Sequence, residues 1–484
     1  MGPPTSPPSA RRPAPRGAPL PVLLPALALL AAGAAGCRQE APLPAPDVVL
    51  VTVDTLRADA LGAYGAGPGA TPVLDRLAAG GVLFEDAVAP MPLTRPSHFS
   101  LFTGRYPREH GVVNNQLDLP EGEVTLAEVF REAGYQTGAF SGTRIFQPSS
   151  GAPQGFERYS ASETHQEPGA AVVDRALAWL GEVPEGERFF LWVHLYDPHM
   201  PYTPPRDLVP AEPPAVPGLE RGATWRGLKA IAARSGGGLD EAAARRVRAL
   251  YDAEVTSADR QVGRLLAALD RRSGPAPVVA VTADHGECFD HGYFYRHSDC
   301  LYEGALWVPL VVRAPGRLEA GRRVPGTVEL VDLGASLLRL AGLAPPASFR
   351  GGDLFANRRG DGVDAYFQPI LSDHRAAGER QRIWDGIASV AGEPVRPVLV
   401  SPVEPVGVRR GRWKYVLGGT LGEELYDLAA DAAERRNLAE GERRRTAELR
   451  AAVRRFQREV PFTVLDPTAL SPELRESLEA LGYL

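Results

Sequence analysis

An acid or a histidine at the end of an apolar run can work with a metal ion, and this sequence repeats that arrangement. Asp54 follows Val48 to Val53, Asp284-His285 follows Val278 to Thr282, and His194, Asp197 and His199 end or follow Phe189 to Val193. A lone Asp in such a place is usually a cap or turn residue. Three such ends point to one place, because open α/β sheets gather their ligands at the carboxyl ends of the strands. The fourth element is Pro92-Leu-Thr-Arg-Pro-Ser-His-Phe-Ser-Leu-Phe-Thr-Gly104. Pro96 suits a helical first turn and Gly104 its end. Thr94 then stands at a helix N-terminus, where free N–H groups and the dipole favour an anion, with Ser97 and His98 about one turn on. Thr94 reads here either as an ordinary N-cap or as a nucleophile.

These groups need a sheet to hold them. Asp47 to Val53 is a continuous apolar, β-branched run of the type found in the middle of a parallel sheet. Thr71-Pro72 opens a helix that Gly80-Gly81 closes. Thr125 with Glu128 makes a capping box for a helix that stops at Gly134. With the runs Phe189 to Leu195, Pro277 to Thr282 and Val308 to Val312, this is a βαβ pattern and hence an α/β fold. From Arg246 to Leu269, apolar residues recur in threes and fours (Val247, Tyr251, Val255, Ala258, Val262, Leu265, Leu269), which marks a helix face turned to the core. Residues 202 to 240, rich in Pro, Gly and Ala, read as a surface excursion. After Gly342 the texture changes. Loops lead to an antiparallel pair, Val406 to Val416 with Glu424 to Leu428, and a charged helix from about Gly441 to Glu459. We expect a domain at 47–375 and a smaller α+β subdomain at 376–484, with a short capped helix over 470–482.

At 484 residues, 44% hydrophobic and a net charge of -6, the chain can bury a large core. Its scattered arginines form no footprint for nucleic acid, which is excluded as a partner. Only Lys229 and Lys414 exist to do lysine chemistry. The first 36 residues read as a targeting segment. Arg11, Arg12 and Arg16 precede an apolar stretch from Leu20 to Leu30, too short to span a membrane and broken by Pro21 and Pro25. Ala34-Ala35-Gly36-Cys37 resembles a bacterial lipobox. The expectation is a signal peptide over 1–36, a lipidated Cys37 and a Pro/Ala-rich tether over 37–46. That describes a periplasm-facing lipoprotein of the bacterial cell envelope, and Arg38 points to the outer membrane. Cys288 and Cys300, twelve positions apart in an exported chain, form a disulfide or remain two free thiols.

Five segments, in order, resemble the successive motifs of bacterial sulfatases, within the alkaline-phosphatase superfamily. They are Val53-Asp54-Thr55-Leu-Arg-Ala-Asp-Ala-Leu-Gly-Ala-Tyr-Gly65, Thr94 to Arg105, His194 to Tyr202, Thr282-Ala-Asp-His-Gly-Glu287 and Leu301-Tyr-Glu-Gly304. Arg412-Trp-Lys-Tyr415 and Glu424-Leu-Tyr-Asp-Leu428 resemble the family's C-terminal subdomain. The resemblance implies an alkaline-phosphatase-like fold, a large mixed, mostly parallel sheet flanked by helices. It implies that Asp54, Asp284, His285 and Thr94 hold a divalent metal, with Thr94 the nucleophile, and that His199 and His297 hold ester oxygens or protonate the leaving group. His98 is expected among the catalytic residues. His194, Asp197 and His291 surround the metal ligands or complete a second metal site. One imidazole among oxygens suits zinc, manganese or calcium, and His285, where many sulfatases have Asn, favours a transition metal or zinc.

The departures from the family bear on the chemistry. A sulfatase has Cys or Ser followed by x-Pro-Ser-Arg and oxidises it to formylglycine; here Thr94 stands in that place and His98 in the arginine's, and threonine cannot form the aldehyde. The family's lysine after Tyr135 to Phe140 is replaced by Ser141-Gly142. A sulfated threonine would need slow water attack at sulfur, whereas a phosphorylated threonine is readily resolved. Fewer cations suit a singly charged phosphodiester or phosphonate ester. We therefore expect a metal-dependent hydrolase of sulfate or phosphate esters acting on a small molecule, a glycan or a lipid. The rival is a non-catalytic lipoprotein that keeps the fold and binds a glycan or lipid headgroup.

Overall fold

β1 (Val48–Val53) is buried along its whole length, as its unbroken apolar sequence requires. It lies between β5 (Phe189–Leu195) and β6 (Val278–Thr282), parallel to both. The remaining strands of this sheet are β2 (Val82–Val88), β3 (Gln136–Ser141), β4 (Arg158–Ala161), β7 (Trp307–Arg313) and β8 (Arg322–Glu329). Their order is β4-β3-β5-β1-β6-β7-β2-β8. Only β7 runs against its neighbours, β6 and β2. Among the described residues, the connection from β6 to β7 has only the one-turn helix Glu303–Leu306, which an antiparallel pair permits. β8 is an edge strand and carries Pro325, tolerated where no ladder bond is needed. The expected mixed, mostly parallel sheet is what the chain forms.

A computed structural model describes residues 43–463 apart from 68, 214–215, 235–238, 290–296, 299, 357–363, 370–405 and 420–421. The signal segment, Cys37, most of the tether, His291 and the helix expected over 470–482 lie outside the described residues.

Helices cover both faces of the sheet. Phe189 and Phe190 are adjacent on β5 and so point to opposite faces. Phe189 meets Trp179 of α5 (Gly169–Glu182), while Phe190 stacks on Phe130 of α4 (Leu126–Glu132). α7 (Glu241–Leu269) packs against both α5 and α1 (Pro72–Ala79), and α2 (Thr94–Thr103) and α9 (Val331–Leu340) pack with α4. The Thr125–Glu128 capping box starts α4, and Asp240 caps α7, whose first residue, Glu241, lies five before Arg246. Three shorter elements complete this part: α3 (Pro107–His110), α6 (Trp225–Arg234) in the 202–240 excursion, and α8 (Glu303–Leu306) leading into β7.

A second sheet has the order β12-β11-β10-β9, from β9 (Asp364–Phe367), β10 (Val406–Arg410), β11 (Trp413–Gly419) and β12 (Gly422–Asp427), all antiparallel. Its edge strand β9 comes from before residue 376. The charged helix α10 (Arg443–Glu459) packs on it through Leu449, Val453 and Phe456. Buried Lys414 of β11 reaches Glu303 of α8 at 3.0 Å and Glu434 at 2.7 Å, which ties this sheet to the segment leading out of the candidate site. The described residues from Pro44 onward form one unit.

Candidate active site

Asp54 leaves β1, and Asp284 and His285 leave β6. One ligand atom from each lies within 4.8 Å of the others, and all three residues are buried; no other such group occurs among the described residues. Both Asp54 oxygens, Asp284 Oδ2 and His285 Nε2 lack a hydrogen-bond partner. Buried polar atoms are rarely left so, and two carboxylates with an imidazole nitrogen fit a divalent cation. His285 Nδ1–H donates to the Gly286 carbonyl at 2.9 Å, which leaves the Nε2 lone pair for the centre of the group. Burial pushes Asp54 up to about 8, with Glu287 adding and His297 and the Thr94 hydroxyl opposing. Asp284 rises for the same reason, with the Asp54 charge next. Two carboxyls in so dry a place resist ionising together unless a cation joins them.

The backbone between these ligands is strained. Thr55 has φ 54°, a left-handed conformation that a β-branched residue rarely adopts. Its N–H points to Asp284 Oδ1 at 3.4 Å. Tyr251 of α7 holds the distortion from the other side: its hydroxyl donates to the Thr55 carbonyl and accepts from the Arg57 N–H, both at 2.9 Å.

Thr94 is the first residue of α2 and 1% exposed. The N-cap is Leu93, no side chain caps the helix, and the Thr94 hydroxyl lies against Asp54. Ser97 Oγ donates to the Asp284 carbonyl at 2.6 Å, tying the helix to the end of β6. His98 lies beneath Thr94 and is buried, with its Nδ1 3.6 Å from Asp284 Oδ2. Its Nδ1 meets the Thr94 carbonyl at 2.8 Å and its Nε2 meets Thr52 Oγ1 at 2.9 Å. It is buried among Phe146, Trp192 and His194, and this burial, with His194 next, holds it neutral. Thr52, inside β1, also accepts from Trp192 Nε1–H at 3.0 Å and contacts His194 Nδ1 at 3.0 Å. His194 Nε2 lies 3.4 Å from Asp54 Oδ2, outside the ligand group but against it.

His297 Nδ1–H donates to Glu287 Oε1 at 3.0 Å, and Tyr202 donates to Glu287 Oε2 at 3.2 Å. Burial opposes charge on His297, but Glu287, Asp54 and Asp284 outweigh it and raise its pKa. The His297 ring is 4.5 Å from His285 and 5.4 Å from His199 between centroids. His199 stacks on Tyr196, and burial, with His297 next, lowers its pKa to about 3. Cys288 and Cys300 form a disulfide that brackets His297. Asp197 is not brought to the group: it caps α5, accepting from the Gly169 N–H at 2.8 Å. Sequence reasoning left Glu287, Thr52 and Tyr251 without roles. Glu287 sits inside the Thr282 to Glu287 motif and was the one within reach; a mid-strand Thr and a mid-helix Tyr carry no local signal.

A family model described as Sulfatase matches residues 46–343. The chain is 26% identical over 466 residues to a Delta 4,5-hexuronate-2-O-sulfatase of Bacteroides thetaiotaomicron, covering 85% of this chain and 88% of the relative. It is 28% identical over 387 residues to human iduronate 2-sulfatase, covering 62% of this chain and 70% of that one. The crystal structure of the phosphonate monoester hydrolase of Agrobacterium radiobacter shares the fold, with a TM-score of 0.64 and 23% identity over 88% of this chain and 98% of that one. The matched span runs from the start of β1 past the end of α9 and so contains every group around Asp54, Thr94 and His285: the chain belongs to the sulfatase family of ester hydrolases.

Proposed function

We propose that this chain hydrolyses a singly charged phosphodiester or phosphonate ester through a covalent intermediate on Thr94. The observation that carries the reading is the uncapped Thr94 hydroxyl, at the N-terminus of α2 and beside Asp54. A divalent cation held by Asp54, Asp284, His285 and Thr94, zinc or manganese before calcium, would supply Lewis-acid charge that favours the alkoxide and draws density from the phosphoryl oxygens. Thr94 Oγ attacks phosphorus as the bond to the alcohol oxygen breaks. His297, kept protonated by Glu287, gives that oxygen its proton. Water then attacks the phosphothreonine, returning the hydroxyl to Thr94 and releasing the acid. His199 is neutral and serves as a hydrogen-bond partner. Among the described residues beside these oxygens, side-chain positive charge comes from histidine, which matches one negative charge better than two.

Lipidation at Cys37 and a periplasm-facing place in the envelope belong to the same reading. Labelled fatty acid should enter the full chain in a bacterial host and not its Cys37→Ala variant; equal labelling removes the anchor. The chemistry is tested by giving the 38–484 fragment, loaded with zinc, manganese or calcium, an aryl sulfate, an aryl phosphate and a bis-aryl phosphate. We expect the diester to be turned over and Thr94→Ala to be silent. Thr94-dependent sulfate release would replace the phosphorus reading with a sulfate one. No turnover of any ester would favour a binding-only role for this chain.

A further inference from the structure

A file of imidazoles leads from the metal-holding group to the surface. After His285, His297 and His199 comes His165, whose ring centroid is 6.1 Å from that of His199. His165 is exposed and takes no part in the chemistry above. Its ring meets Tyr196 edge-on, with the Tyr196 hydroxyl 3.4 Å from His165 Nε2. Its segment is fastened in place. Thr143 Oγ1 donates to the His165 carbonyl at 2.9 Å, Arg144 N–H to the Thr164 carbonyl at 3.0 Å and Glu167 N–H to the Gly142 carbonyl at 2.9 Å. Gly142 has no room for a side chain: a Cβ there would stand 3.3 Å from the Glu167 carbonyl, so the segment lies directly on the end of β3. Arg144 is exposed beside it, and among the described residues its guanidinium makes no hydrogen bond or ion pair. Partial burial, with the Arg144 charge next, lowers the His165 pKa. Two basic groups thus share one edge of the site without a carboxylate between them, an arrangement that an anion relieves.

Building on the ester hydrolysis proposed above, we propose that Arg144 and His165 form a subsite for a second anionic group, carried by the alcohol part of the substrate away from the reacting ester. A carboxylate, sulfate or phosphate on that part has the required chemistry. The test uses probes without a scissile ester, so that it reads affinity alone: phenylphosphonate, biphenylphosphonate and their 4-carboxyphenyl and 4′-carboxybiphenyl analogues, titrated calorimetrically into the zinc-loaded protein. At least one carboxylated probe should bind about tenfold tighter than its uncharged parent, the size of one charge-assisted contact at a partly exposed rim. Arg144→Ala/His165→Ala should abolish that ratio and leave the parents' affinities unchanged, and Arg144→Lys should keep part of it. Equal binding of charged and uncharged probes by the wild type, or an advantage that survives the double variant, overturns the subsite. Failure of the hydrolytic reading is a different result, absent turnover of the diester, and leaves this ratio measurable.

Discussion

Replacing Thr52 by Val keeps the shape of β1 and removes one hydroxyl on which three buried groups converge. Trp192 Nε1–H, His98 Nε2 and His194 Nδ1 stand 2.9 to 3.0 Å from it, and all three residues are fully buried. Water cannot replace the lost partner in a core of Phe102, Phe146 and Trp192 rings. An unsatisfied buried polar atom costs about 1–3 kcal/mol. Allowing the three to share the relaxation, Thr52→Val should lose about 3–6 kcal/mol, a large part of the ~5–15 kcal/mol that typically holds a domain together. Thr103→Val is the control: it is equally buried, but its hydroxyl serves one carbonyl, that of Phe99 at 2.6 Å, so about 1 kcal/mol is expected. The assay is equilibrium urea unfolding followed by tryptophan fluorescence on metal-free protein, since a bound cation would add its own binding energy to the native state. A Thr52→Val loss within 1 kcal/mol of the control would refute the argument that one hydroxyl satisfies all three groups.

Glu287→Gln should lower the pKa of His297 and move the alkaline fall of kcat to lower pH. It should slow alkyl esters about 10–100-fold while sparing 4-nitrophenyl esters, whose leaving group needs no proton; equal losses on both would remove His297 from the acid role. Tyr251→Phe, which frees the strained Thr55 backbone, should weaken zinc binding about tenfold or more by chelator competition, and should also cost about 1–3 kcal/mol of metal-free stability because the Thr55 carbonyl and Arg57 N–H lose their partner. His110 is buried with its pKa lowered to about 3, by burial first and then Arg105. Its neutral form is favoured by folding, so this stability is present above the unfolded value near 6.5 and is lost as pH falls toward 3. His110→Asn should therefore flatten the acid limb of the unfolding free energy by up to about 1.4 kcal/mol per pH unit; an unchanged slope would show that His110 is not held neutral by the fold.

The middle of the large sheet could be read directly. β1, β5 and β6 are unbroken apolar runs because both of their faces are covered, and the chemistry sits in the next one or two residues. α2 was equally legible, since Pro96 and Gly104 mark its ends. β2, with Glu85 and Asp86 in its centre, and β8, polar along its first half, carry no such signature because they lie toward the edge. The direction of β7 depends on where the chain re-enters the sheet, which its own residues do not encode. Of the residues that hold metal-side groups in place, Thr52 stands just before the first motif and Tyr251 inside α7, and neither residue type marks itself as functional there. His98 stands inside a motif, and one helical turn carries its ring under Thr94.

The buried line from Asp54 to the Thr94 carbonyl has a further consequence when its hydrogens are counted. Its four contacts are Asp54 with His194 at 3.4 Å, His194 with Thr52 at 3.0 Å, Thr52 with His98 at 2.9 Å and His98 with Thr94 at 2.8 Å. A carbonyl ends the line on one side and a carboxylate on the other, and both only accept. Two neutral imidazoles and one hydroxyl bring three hydrogens to four gaps. Starting from the carbonyl, His98 Nδ1, Thr52 Oγ1 and His194 Nδ1 must each donate, so the shortfall falls at Asp54, where the contact is also longest. An Asp54 carboxyl pushed up to about 8 supplies the missing hydrogen itself in the metal-free protein. Loading the site is then an exchange that expels a hydrogen ion from the interior, and the apparent affinity for the cation rises about tenfold per pH unit until Asp54 has let go.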